Sequence, residues 1–519
     1  MIDVLTHIYN YTPNGTLALL RTNKEWYQYY HLYIGNNNAR ILPNISMEDV
    51  IKNNWKEIMH YIPLGYINTN HFDLAARYNR LDIIKYFDKI GKYGTYSSMD
   101  WAAGNGHIEM VKWLHYNITE GCTIMAMNNA ARNGHIHMVK WLHIYRTEGC
   151  TTNAMDNAAK NGHLDIIQWL HYNRTEGCTT NAMDNAARNG HLDVVKWLHH
   201  NRTEGCTTIA MDTATRNRHI DIIQWLHYNR TEGCTTMAMN YAAANGYMNI
   251  IQWLHYNRTE GCAKRAMDAA SGNGHMDIVQ WLHYNRTEGC TKQAMNYAAE
   301  YGHIDIIQWL HLYRTEGCTN DAMDKAAKNG HLEMVQWLHY NRTEGCTTNA
   351  MDWAAKNGHL DIIKWLHLYR TEGCTAMAMN MAAQRRHMDI IQWLHYNRTE
   401  GCTTMAMDAA ARDGYLDIVK WLHTYRTEGC TTWAIDLAAE NGHIEIVKYL
   451  YTYRTEGYTT NAIYWATKNG HMDILQWLQE NTDKNDINIS AKPAKTFEQE
   501  TAYDFEIQFF QFFISSLKN

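Results

Sequence analysis

Proline is nearly missing. Four occur in 519 residues, and the stretch between Pro63 and Pro493 has none, so no ring there removes an amide donor or breaks a helix. Long apolar runs are also missing. No stretch approaches the roughly 18 residues of a membrane span, and the opening MIDVLTHIYNYTPNG lacks the basic segment and apolar run of a secretory signal. Charge of one sign is not in excess: 47 basic residues face 53 acidic ones, and nothing in that total demands a nucleic acid or an anionic membrane as partner. Local patches stay open. Phenylalanine is scarce at eight, with six at or beyond Phe497, which marks the tail as a separate element. No phosphate-binding glycine loop, HExxH or GxSxG motif is found.

What fills the chain is one sentence of 28 residues, written fourteen times. At Thr151 to Cys178 it reads TTNAMDNAAKNGHLDIIQWLHYNRTEGC. Its Gly-His mark runs from His107 to His471 at fixed spacing, with Tyr247 and Tyr415 in two of the slots. Such a period means stacked supersecondary units, none able to bury its apolar face alone. All 12 cysteines fall at one position of the unit, from Cys122 to Cys430. Neighbouring helical units lie roughly 8 to 10 Å apart, whereas a disulfide needs Cα atoms closer than about 7 Å. Reduced thiols are therefore expected, in a reducing compartment such as cytoplasm or nucleus. Most of the 30 histidines occupy two repeat positions, and a tetrahedral site needs its ligands around one metal, so metal binding and cofactors are not expected. Catalysis is not expected either, because a catalytic group is singular and these Cys, His and Glu recur about a dozen times. Asn-Arg-Thr, as at Asn173 to Thr175, reads as a helix ending and not as a glycosylation acceptor.

Inside the unit, Asn-Gly divides two helical patterns, since glycine supplies the left-handed residue that ends a helix. Ala154, Met155, Ala158 and Ala159 make a stripe of mostly small residues before it; Leu164, Ile166, Ile167, Trp169 and Leu170 make a bulkier one after it. Thr151 or Thr152 can cap the first helix, and the tryptophans of the second, Trp113 to Trp477, read as core. Arg174 and Glu176 and their copies read as solvated charge ladders.

These residues resemble ankyrin repeats, whose pattern runs Thr-Pro-Leu-His-x-Ala-Ala-x-x-Gly-His-x-x-Val-Val-x-x-Leu. Residues Asn181 to Leu198 align with it without a gap. The helix-opening proline is absent, and Asp or Asn, as at Asp184, replaces the first histidine. The unit is about five residues shorter than the usual 33, the loss falling where the family has its β-hairpin finger. The resemblance implies an all-α, ankyrin-type helical solenoid with shortened or absent β-hairpin fingers. Its Trp-Leu-His and Thr-Glu-Gly-Cys wording is similar to the short-repeat ankyrin proteins of giant amoeba-infecting DNA viruses, of mimivirus-like type, which would place the chain in host cytoplasm or nucleus.

The expected organisation is a small helical segment at 1–66, a degenerate capping repeat at 67–94, the repeats at 95–478, a linker at 479–496 and an aromatic capping segment at 497–519. The first segment resembles an F-box, which presents apolar residues to a ubiquitin-ligase adaptor; here the docking residues would be Leu5, Ile8, Leu17, Leu20 and Trp26.

Within the unit, the positions of Asn153, Asn157 and Lys160 change freely. Their i, i+4, i+7 spacing places them on one face of the first helix, which in the family lines the concave groove. The first row includes Met237, Arg265, Met377 and Trp433; the second Tyr241, Tyr297, Trp353, Met381, Leu437 and Trp465; the third opens with Arg132, Lys160, Arg188 and Arg216. Aromatic residues, Met and Arg are favoured at protein interfaces, so these residues are the candidate partner-binding set. Drift on an unconstrained surface accounts for the same variation, and both readings stand open. The expectation is a monomeric, non-enzymatic protein-binding scaffold, with a ubiquitin-ligase adaptor as the second partner implied by the F-box resemblance. A structural or decoy repeat protein without ligase contact is the alternative.

Overall fold

The computed structural model describes residues 47–54 and 64–481. The expected docking residues Leu5, Ile8, Leu17, Leu20 and Trp26, nearly all of the expected linker and the aromatic capping segment lie outside them. Among the described residues every regular element is helical, with no strand. The expected loss of β-hairpin fingers is therefore seen directly: each second helix runs through a plain turn into the next first helix. Two compact units divide the chain, one up to residue 270 with 277–289, the other 271–276 with 290 onwards.

Each unit is built from the same hairpin. In the repeat of the first unit that spans Thr151 to Cys178, the first helix is Thr152–Lys160 and the second Leu164–Asn173. Of the two candidate threonines, Thr151 is the cap, its Oγ1 accepting the Asn153 amide, which satisfies one donor left free at a helix start. Gly162 ends the first turn at φ 78°. Ala154, Met155, Ala158 and Ala159 are buried with Ile166, Ile167 and Leu170. The residues of the expected degenerate repeat form the helices Thr69–Arg77 and Leu81–Lys89.

Three polar contacts tie each hairpin to its neighbour. The first joins glycine and histidine. A Cβ on Gly134, Gly162 or Gly330 would meet the ring of the next repeat's histidine at 2.7 to 2.8 Å, so the glycine is required both by its left-handed backbone and by what packs on it. Histidine Nε2 reaches a main-chain carbonyl one repeat back: His107 to Arg77 at 3.1 Å, His303 to Gly272 at 3.1 Å, His387 to Lys356 at 3.2 Å. Burial, then the neighbouring His107 and His163, hold His135 below its ordinary value.

The second contact explains the missing family histidine. Asp156 is buried and accepts the amide of Thr179 at 2.8 Å and its hydroxyl at 2.7 Å, so the helix cap of one repeat is held by the carboxylate of the one before. Where Asn replaces Asp, the geometry persists: Asn128 accepts the Thr151 amide and donates to its hydroxyl, both at 3.0 Å. Burial pushes Asp324, Asp352 and Asp408 up to about 6, against the pull of the threonine donors.

The third contact corrects the expectation of solvated charge ladders. Each arginine and glutamate pair within its own turn, Arg174 with Glu176 and Arg342 with Glu344, about three quarters buried. The arginine also reaches back to a histidine, Arg174 Nη1 lying 3.4 Å from His143 Nδ1. The glutamate accepts an amide of the previous repeat, as Glu344 does from Cys318 at 3.3 Å. Burial acts against these carboxylates, yet Arg342 and the amides hold Glu344 down to about 2. Of the tryptophans, Trp309 and Trp365 are buried as core. Most of the others are half-buried, and from Trp141 to Trp421 most stand nearly perpendicular to the ring of the previous repeat's histidine, as Trp169 does to His143 at 5.1 Å and 83°.

Two predictions follow from these contacts. Gly330→Ala and Gly470→Ala impose the same left-handed strain, about 1 to 2 kcal/mol, but only the first drives a methyl into a histidine, since nothing among the described residues lies within 4 Å of a Cβ at Gly470. Urea unfolding is expected to show Gly330→Ala as the more destabilised of the two, by roughly a further 1 kcal/mol or more. Asp352 has a folded value above its unfolded one, so its contribution is fully present below pH 4 and is lost as pH rises through 6. Asp352→Asn is therefore expected to raise the unfolding free energy read from urea titration at pH 7, by on the order of 1 to 3 kcal/mol, with no difference from the parent at pH 4. Glu344 runs the other way, holding its contribution above pH 4.5 and losing it as pH falls towards 2.

Candidate functional site

With glycine, histidine, Asp or Asn, arginine and glutamate committed to neighbours, the first helices keep one face free. The three variable rows lie on it. Arg132, Arg216 and Arg265 are exposed, Tyr297 is 36% and Trp433 46% exposed. Lys160, Arg188, Met237, Tyr241, Trp353, Met377, Leu437 and Trp465 are half-buried. These residues share a helix face, as the spacing requires, and each unit carries its own part of the rows.

Met381 does not belong to the surface. It is 4% exposed, on the helix Ala376–Gln384 that packs between Asn349–Asn357 and Thr404–Arg412. Its row neighbours are Trp353 and Ala409, a large ring on one side and a methyl on the other. A flexible thioether settles into the space between them, so the residue packs the scaffold and offers no contact to a partner.

Several of the aromatics are paired with cations. Arg216 lies over Tyr241 at 5.4 Å, Lys325 over Tyr297 at 5.6 Å and Lys328 over Trp353 at 5.8 Å. Such pairs hold both partners extended along the surface at little cost and present an apolar ring with a charged border.

Two features escaped sequence reasoning. The most exposed large side chains are on the second helices: Tyr172, Tyr228, Tyr256 and Tyr396 are 72 to 75% exposed. The signal was the residue after Trp-Leu-His, Tyr or Leu in many repeats. The other is a paired exchange. In two repeats arginine occupies the left-handed glycine slot, Arg218 at φ 68° and Arg386 at φ 62°. In each case the histidine of the following repeat is tyrosine, and the guanidinium lies over its ring, at 5.4 Å for Tyr247 and 5.5 Å for Tyr415. At these two places glycine and histidine change together, whereas Asn79, left-handed at φ 58°, is followed by an unchanged His107. The signal was two departures one repeat apart, seen twice.

Among the described residues no group of three or more His, Cys, Asp or Glu converges as metal ligands would, and no helix is long and apolar enough to cross a membrane. The 12 cysteines are buried and unbridged. Burial, then the nearby glutamate, pushes thiols such as Cys122 and Cys346 up to about 12, away from the thiolate form that a nucleophile uses.

The sequence matches two family models, both described as ankyrin repeats. One, of three copies, matches residues 183–268 and 406–491. The other, of many copies, matches 99–143, 155–199, 262–311, 297–339, 323–367, 351–395 and 379–423. Together they cover roughly three quarters of the chain. No curated protein matches it. Among solved structures, the pentatricopeptide repeat protein PPR10 from maize is similar over 92% of this chain and 85% of its own, at 10% identity and a TM-score of 0.31. No catalytic family is indicated.

Proposed function

Since the chain belongs to the ankyrin-repeat family, a family of protein-binding scaffolds, we propose that it captures a protein along the free face of its first helices. The observation that carries this reading is the division of labour within the repeat: the constant residues are spent on contacts between hairpins, and the residues that differ are those left facing outwards. The contact set is Arg132, Lys160, Arg188, Arg216, Met237, Tyr241, Arg265, Tyr297, Trp353, Met377, Trp433, Leu437 and Trp465, with Met381 withdrawn because it is buried.

The finer reading is a substrate adaptor. The F-box-like pattern of Leu5, Ile8, Leu17, Leu20 and Trp26 supports it by handing a captured protein to a host ubiquitin ligase, in a cell infected by a giant DNA virus. A structural or decoy role without ligase contact is the competing outcome.

Affinity capture from amoebal lysate with the full chain, read by mass spectrometry, tests both levels. Trp353→Ala, Tyr297→Ala and Trp465→Ala together are expected to reduce the captured partner at least tenfold while leaving the helical spectrum unchanged; undiminished capture would remove the face from the assignment. Leu17→Asp with Leu20→Asp is expected to lose the ligase adaptor and keep the partner. If the parent chain brings down no adaptor, the decoy reading stands.

A further inference from the structure

The residue that ends each first helix follows a pattern longer than one repeat. It reads Arg132, Lys160, Arg188 and Arg216, then Ala244, Gly272 and Glu300, before bases resume at Lys328 and Lys356, with Gln384 at the next such position and Arg385 one residue on. A base at a helix C-terminus is favoured by the helix dipole, but the dipole asks for one at every repeat. Gathering them into separate runs requires another cause.

Each run lines a trough on the edge formed by the Asn-Gly-His turns, one in each unit. Lys160, Arg188 and Arg216 border the first, with His191 and His219. Lys328, Lys356 and Arg385 border the second, with His359 and His387. Four positions correspond at six repeat lengths, Lys160 with Lys328, Arg188 with Lys356, His191 with His359 and His219 with His387, while the third base is displaced by one residue, Arg216 against Arg385. The strained Arg218 and Arg386 with their tyrosines stand at the same place beside each trough. Backbone strain is kept where surrounding structure or function demands it, and here it is kept twice in one register.

No carboxylate lines the first trough, and the one that lines the second, Glu300, is paired with Lys325. Neighbouring cations have partners as well, Arg386 with Asp417 and Arg412 with Asp413. Among the described residues, no carboxylate pairs with any of the six trough bases. Burial, and then Arg385 and Lys328, hold Lys356 below its ordinary value.

We propose that each unit binds an acidic peptide segment in its basic trough, so that the chain holds two acidic segments at once. The proposal rests on the protein-binding reading above and names the chemistry of what is bound. Two steps of roughly 8 to 10 Å span about five or six residues of extended chain, long enough to set carboxylates against three successive bases. A nucleic acid is the poorer occupant. Exposed Asp193, Asp221, Asp361 and Asp389 open the second helices two residues past the trough histidines, and a broad polyanion would meet this acidic row together with the basic one. A narrow strand with alternate side chains lies along the bases alone.

The test is fluorescence anisotropy on the full chain at low salt, with a labelled twelve-residue peptide of alternating Glu and Ser. Two equivalents are expected to bind, with affinity falling several-fold on raising the salt. Lys328→Glu, Lys356→Glu and Arg385→Glu together are expected to leave one equivalent, as are the matching changes at Lys160, Arg188 and Arg216, and the two sets combined to leave none. Should a charge-reversed chain lose its helical spectrum, the corresponding Gln variants take its place, with the same loss of one equivalent per trough expected. A stoichiometry that ignores these changes overturns the proposal, as does a single-stranded DNA of twelve nucleotides that displaces the peptide at lower concentration than unlabelled peptide does. Trp353→Ala with Tyr297→Ala is expected to leave peptide binding intact. Loss of the captured partner in that variant but in no trough variant would keep the protein-binding reading and remove the troughs from it.

Discussion

A hairpin of 28 residues cannot bury its own apolar face, and everything else in this protein follows from how each hairpin borrows a surface from the next. The small residues of the first helix, Ala154, Ala158 and Ala159, let adjacent helices approach closely, but a stripe of alanines slides easily because its packing is featureless. Register has to come from directional contacts. Gly-His, the carboxylate on the threonine cap, and the arginine and glutamate clamp supply it at three separate places on the hairpin. Each uses a main-chain group of one repeat as the receptor for a side chain of another, so small changes elsewhere in the repeat leave the register untouched.

That arrangement decides what could be seen in the sequence. The period, the two-helix division at Asn-Gly and a cap at Thr151 or Thr152 were legible because they depend on residues near one another along the chain. The loss of the family's histidine was visible at Asp184, but its meaning was not, since the carboxylate acts on Thr207 in the following repeat. Arg174 and Glu176 looked like surface charges for the same reason: composition cannot show that a turn closes over them. Most of the tryptophans misled in the opposite direction. Hydrophobicity suggested core, whereas an indole nearly perpendicular to an imidazole belongs to the seam between second helices, where a half-buried ring still makes most of its contacts.

The candidate face was legible as a pattern of variation and less so residue by residue. Spacing places three rows on one face of a helix, but burial in a row depends on the neighbours on either side, as Met381 between Trp353 and Ala409 shows. A large ring or a missing side chain one repeat away changes how far a residue protrudes. Reading rows along the stack, and not single repeats, is what identifies which side chains a partner could touch.

The paired exchange of glycine and histidine shows how such a stack can vary without losing register. A Cβ at most of the turn glycines would press on the histidine ring of the next repeat, and beside Arg218 and Arg386 that ring is replaced by Tyr247 and Tyr415. The replacement exchanges a close van der Waals seat for a cation over a ring, which still joins the two hairpins but projects charge from the turn edge. Because the contact is made between repeats, a change of side-chain size at the turn is accompanied at Arg218 and Arg386 by its counterpart in the next hairpin, whereas an exchange of like size, Asn128 for Asp, keeps its Thr151 partner unchanged. Single, unaccompanied changes such as Asn153 to Trp433 or Asn157 to Tyr297 along the rows mark positions released from the demands of the stack and open to those of a ligand.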